Sequence, residues 1–134
     1  MILDTRFLGA LVDGDDGARR TAATLDGAGA PKRVPAVVLW EIHSGIGAVA
    51  SPETTRELRG LYEPLLENQS TLALTPRVAR RAGELNGEHA RSDALADLDG
   101  ADSVVAAHGL LLDEPVVSDD DDFRDVDGLD IVTY

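Results

Sequence analysis

Carboxylates recur in this chain where a strand gives way to a helix. Asp4 ends the short apolar run MILD, and Glu41 lies in the first turns of an apolar helix. Asp102 lies about one turn into another helix, and Asp119 to Asp122 form a run of four after the β-branched stretch Pro115 to Ser118. In a right-handed, open parallel sheet, the carboxyl ends of the strands and the starts of the helices that follow share one edge. Acids far apart in sequence can therefore converge. Several carboxylates within a few ångströms push at least one pKa upward. A hard divalent cation removes that repulsion, and magnesium or manganese takes all-oxygen ligands while keeping several waters. Such a cation polarises a phosphoryl oxygen and lowers the pKa of a bound water, which is the chemistry of phosphodiester hydrolysis.

The elements that must position these acids read as an alternation of short strands and helices. Met1 to Asp4 predicts a strand, followed by a helix over TRFLGALV with Thr5 as its N-cap, since a hydroxyl there can accept an orphan amide. A small helix over ARRTAATL ends at the Gly27 to Ala30 turn. Arg33 to Val37 predicts a second strand, with Pro35 arguing for its start or for an edge position. Val38 to Val49 has the helical recurrence Leu39, Ile42, Ile46. Ser51-Pro52 and Thr75-Pro76 are both cap-plus-proline openings, for helices running to about Asn68 and about Arg91. Leu58, Leu61, Leu65 and Leu66 make the expected inner face of the first, and Val78, Ala82 and Leu85 that of the second. Further strands are predicted at Thr71 to Leu74, Pro115 to Ser118 and Asp130 to Tyr134. Asp99 is placed to cap the helix that starts at Gly100. This alternation predicts an α/β fold, a three-layer α/β/α sandwich around a central, mainly parallel sheet.

Composition narrows the options. The 134 residues fit one domain with a sizeable core. Cysteine is absent, which excludes disulfides, thiolate nucleophiles and cysteine-ligated metals. Neither a basic leader nor a long apolar run is readable, so the cytoplasm is the expected location and no membrane partner is expected. The net charge is −13, from 17 Asp and 8 Glu against 11 Arg and the single Lys32. So acidic a surface repels nucleic acid in general, and contact with RNA or DNA would need a cation or a local arginine patch. Near-absence of lysine with excess aspartate suggests a halophilic protein, built for salt so concentrated that the Debye length shrinks to about 3 Å.

The chain resembles a PIN domain, in particular the VapC-type toxin ribonucleases of toxin–antitoxin pairs. Three stretches carry the resemblance, in the family's order and spacing: MILDTRFLGALV, PAVVLWEIHSGI and DGADSVVAAHGLLLDEPVVSDDDDFRDVDGLDIVTY. The resemblance covers residues 1–134 as a single PIN-like nuclease domain. By position it implies site acids at Asp4, Glu41 and Asp102, with the fourth at Asp120 and Asp122 as a further metal ligand. It also implies magnesium or manganese as cofactor, single-stranded RNA as substrate, a small cognate antitoxin as partner, and a homodimer. Three positions depart from the family's usual pattern. Arg6 stands where Asn or Ser is usual, and is placed to meet a phosphate; Ser118 stands for the commoner Thr; Asp119 replaces a basic residue, making the site more anionic.

Blander readings stand beside these. Asp4 and Asp99 can serve as caps, and Glu41 can answer a helix dipole, worth only about 0.3–1 kcal/mol. His43, His89 and His108 lack zinc spacing and are expected to be structural or exposed. Trp40 is expected in the core or at an interface. Arg77, Arg80 and Arg81 form a surface helix with an Arg80 to Glu84 pair, or else touch RNA or an antitoxin. Two other functions fit the same acids: an RNA-processing PIN nuclease without an antitoxin, and a catalytically inactive PIN-like protein-binding module.

Overall fold

The computed structural model describes residues 1–134. Five strands form one sheet: β1 (Ile2–Leu3), β2 (Arg33–Pro35), β3 (Ser70–Leu72), β4 (Val116–Val117) and β5 (Ile131–Val132). Their order is β3-β2-β1-β4-β5, and all four pairings are parallel. Six helices flank the sheet: α1 (Thr5–Asp13), α2 (Asp16–Gly27), α3 (Ala36–Ala48), α4 (Pro52–Leu66), α5 (Pro76–Ala90) and α6 (Gly100–Leu112). A 3-10 helix, Asp121–Asp125, follows β4. The α/β architecture expected from the alternation is therefore present, with every strand parallel.

The central strands β1, β2 and β4 are buried because they are covered on both faces, whereas the edge strands β3 and β5 are more exposed. Ile2, Leu3, Val34, Val116 and Val117 are each at most 2% exposed. The strands are also shorter than their apolar runs suggest, and after β2 the helix begins immediately where the ladder stops. Thus β2 ends at Pro35 rather than Val37, and α3 starts at Ala36. Pro35 does not mark an edge: β2 lies between β3 and β1, and the proline is its last residue, paired with Leu72 beyond the register shared with β1.

Helix α6 is the central packing element. Ala101 and every residue from Ser103 to Gly109 are buried, the pattern of a helix apolar on all sides. It packs on β1, β2, β4, α3 and α5. Gly109 permits the closest approach: a Cβ there would lie 2.5 Å from Leu129 Cδ1 and 3.1 Å from the Glu114 carbonyl oxygen. A side chain there would force Leu129 into another rotamer and press on the Glu114 carbonyl.

Caps of the expected kind start α4, α5 and α6, where Ser51, Thr75 and Asp99 accept backbone amides. The inner face of α4 differs from expectation. Leu58, Tyr62 and Leu66 pack against the core at four-residue steps, whereas Leu61 is 45% exposed. A tyrosine at the right angular position displaces a leucine at the wrong one. Trp40 is 65% exposed and so does not belong to the core. On α5, Glu84 pairs with Arg81 at 3.6 Å rather than with Arg80. His43 is exposed, while His89 is buried with Nδ1 2.9 Å from the Ala96 carbonyl oxygen and His108 is buried beside apolar neighbours. No helix is long and apolar enough to cross a membrane.

Candidate metal centre

In this sheet the strand order reverses between β1 and β4, and parallel α/β sheets bind ligands outside the carboxyl ends of the strands at such a point. Asp4 is the residue after β1, and Ser118 to Asp120 follow β4. The first turn of α6 brings Asp102 to the same place. The carboxylates of Asp102, Asp120 and Asp122 lie within 4.8 Å of one another.

Each acid is held by its own local structure. Asp120 caps the 3-10 helix, its Oδ1 accepting the Asp122 amide at 3.1 Å. That turn sends Asp120 and Asp122 inward and leaves Asp119 and Asp121 exposed, with Phe123 fully buried beneath. Ser118, itself fully buried, donates its hydroxyl to Asp4 Oδ2 at 2.7 Å and accepts the Asp120 amide at 3.1 Å, so one side chain ties both strand ends together. Asp99 Oδ1 accepts the amides of Ala101 and Asp102 at 2.7 and 2.9 Å, which fixes the start of α6.

Two assignments change. Thr5 does not cap α1: Asp4 occupies the N-cap, with Oδ2 3.4 Å from the Arg6 amide, and the Thr5 hydroxyl instead donates to Glu41 Oε2 at 2.6 Å. Asp119 does not turn inward with Asp120: it is exposed and accepts the Tyr134 hydroxyl at 2.9 Å.

The tight group is therefore Asp102, Asp120 and Asp122. Asp4 and Glu41 stand next to it rather than within it, near enough to act electrostatically on Asp102. Burial pushes the Asp102 carboxyl up to about 7, with Asp99, Asp4, Asp120 and Glu41 adding to the effect. Asp4 is also raised, first by burial, against the lowering hydrogen bonds from Ser118 and the amides of Thr5 and Arg6. Asp122 is raised by desolvation and then by Asp120. This is a set of oxygen donors with excess negative charge and no soft ligand, suited to magnesium or manganese held partly through water.

A family model for the PIN domain matches residues 1–129. The chain belongs to the PIN domain family. Its fold is shared with proteins from solved complexes. One is VapBC2 from Rickettsia felis bound to a promoter DNA fragment, with TM-score 0.79, 16% identity, and coverage of 98% of this chain and 96% of that one. DNA-bound VapBC from Salmonella typhimurium gives 0.80 at 17% identity, covering 98% and 96%. VapBC-5 from Mycobacterium tuberculosis, a member of the VapBC family of toxin–antitoxin systems, gives 0.68 at 23%, covering 98% and 94%. At these identities the likeness is one of fold. No curated protein matches the sequence.

For this PIN domain the raised acids make metal-free stability depend on pH. A carboxyl whose folded value lies above its unfolded value, about 3.9, binds its proton more tightly when folded. Its contribution is fully present below the unfolded value and is lost as pH rises through the folded one. With chelator present, the last part of this contribution is expected to disappear, and the melting temperature to fall, between about pH 6.5 and about pH 7.5, with Asp102→Asn flattening that slope. Buried His108, whose value burial lowers, acts in the opposite direction only below this window. A wild-type melting temperature that climbs across the window in chelator would contradict the crowding of these carboxylates.

Sequence reasoning noted Thr5 and Ser118 but missed what each of them positions. The Thr5 contact to Glu41 spans 36 positions, and the Ser118 contact to Asp4 spans 114, so neither leaves a local signal.

Proposed function

We propose that this protein is a VapC-type endoribonuclease, dependent on magnesium or manganese, that cleaves single-stranded RNA and is silenced by a small cognate antitoxin. The observation that carries the reading is the meeting of Asp102, Asp120 and Asp122 at the strand-order reversal of a PIN domain. Relatives in fold are described as toxin–antitoxin complexes, which supports an antitoxin as partner.

In this reading Asp102, Asp120 and Asp122 hold the cation, with Asp4 and Glu41 completing the negative shell directly or through water. Bound there, the cation supplies a water of lowered pKa and stabilises charge developing on the scissile phosphate. Ser118 and Thr5 keep Asp4 and Glu41 in one rotamer each, so that little reorganisation is needed when the substrate arrives. The cation also answers the electrostatic problem: a chain of charge −13 repels a phosphate backbone unless positive charge is present where the two meet. Trp40, Leu61, Leu74 and Leu112 are the large apolar side chains exposed to solvent, and an antitoxin or a second copy of the chain would cover some of them.

The test is incubation of the purified protein with a pool of single-stranded RNA, with manganese or with chelator, at low and at molar salt. Endonucleolytic cuts in the manganese arm that disappear in chelator are expected. A folded protein that leaves the pool intact with manganese at every salt concentration would sink the proposal. A short neighbouring reading frame encoding an amphipathic tail separates the toxin from a processing nuclease with no antitoxin.

A further inference from the structure

Six carboxylates sit in or beside the pocket: Asp4, Glu41, Asp99, Asp102, Asp120 and Asp122. One cationic side chain touches them. Arg6 Nε lies 2.6 Å from Asp120 Oδ2, and the other ion pairs of the molecule are elsewhere. Both oxygens of Asp120 are thus engaged, Oδ1 by the Asp122 amide and Oδ2 by the guanidinium. The two partners are not equally fixed. The amide belongs to the 3-10 turn, whereas the Arg6 side chain is 61% exposed on the surface of α1, with open solvent to move into.

We propose that Arg6 is a resident competitor for the divalent cation: its guanidinium holds Asp120 while the pocket has no ion, and so raises the cation concentration needed to fill it. The proposal rests on the reading of the pocket as a metal site. Electrostatics sets the direction, because a positive charge within contact distance of a ligand carboxylate repels an incoming cation and also competes for its oxygen. Exposure limits the size, since a pair open to water on one side is screened. Once displaced, the guanidinium stands at the rim of the pocket as a positive charge facing an RNA phosphate, so Arg6 is a positioning residue with two successive partners.

Manganese binding by calorimetry, without RNA, on wild type, Arg6→Gln, Arg6→Lys and Asp102→Asn tests this. Arg6→Gln removes the charge and keeps a good helix former at an exposed position. It is expected to bind manganese roughly tenfold more tightly than wild type, and Arg6→Lys to stay within about threefold of wild type. The gap between wild type and Arg6→Gln should narrow in molar salt, where the Debye length is about 3 Å. A merely structural role for Arg6 would not produce that narrowing. Equal or weaker binding by Arg6→Gln, with Asp102→Asn still losing the ion, overturns the competitor role and leaves the metal pocket standing. Failure of every protein to bind manganese, or undiminished binding by Asp102→Asn, overturns both.

Discussion

Asp102→Asn is expected to reduce cation-dependent RNA cleavage by at least about a hundredfold while leaving the fold intact. The side chain changes little in size, and it sits half-buried on the first turn of α6, where its amide is already capped by Asp99. What changes is charge. Asp102 is one of the three acids within 4.8 Å of one another, and the one on which Asp99, Asp4, Asp120 and Glu41 all act. Removing its charge weakens the hold on a cation and relieves repulsion among the remainder. The metal-free variant should therefore melt no lower than wild type at neutral pH or above. This combination of lost activity with retained stability separates a site role from a folding role. Asp4→Asn is expected to lose cleavage to a similar degree, and both variants should fail to inhibit growth when expressed. Wild-type rates from either purified variant, with contaminating ribonuclease excluded, would remove these acids from the mechanism.

Phe123→Ala has the largest expected effect on stability, about 3–5 kcal/mol. The ring is fully buried and lies within the 3-10 helix, between Asp122 and Arg124. A domain of this size has only about 5–15 kcal/mol to lose, so the variant should unfold at markedly lower urea concentration. The same ring supports the turn that sends Asp120 and Asp122 into the pocket. Cation affinity should fall along with stability, under conditions where the variant is still folded. Phe123→Leu keeps most of the volume and should cost less than about 1.5 kcal/mol. A loss below about 1 kcal/mol for Phe123→Ala would mean that the space closes over and that the ring does not carry the turn.

Local signals served the sequence reading well wherever a few neighbouring residues decide the outcome. Ser51-Pro52, Thr75-Pro76 and Asp99 open helices as their chemistry dictates, and the positions of the acids after β1 and β4 were readable from the apolar runs that precede them. Failures came where the partner lies far away. Thr5 is a sound cap in isolation, yet its hydroxyl goes to Glu41, and Asp4, the residue before it, takes the cap. The run Asp119 to Asp122 carries no mark of which carboxyls turn inward; a 3-10 turn over a buried phenylalanine decides that, and it places Asp122 in the tight group. Arg6 was legible as a departure from the family's usual residue but not as the partner of Asp120, because that contact depends on α1 lying against the end of β4.

The pairing of β1 with β4 sets a timetable for biosynthesis. Ile2 and Leu3 align with Val116 and Val117, and Asp4 is held by Ser118, so a chain emerging from the ribosome exposes its first strand long before that strand's neighbour exists. Until then the acids of the two strand ends remain apart, and the pocket at the strand-order reversal can be assembled only after most of the chain has been made.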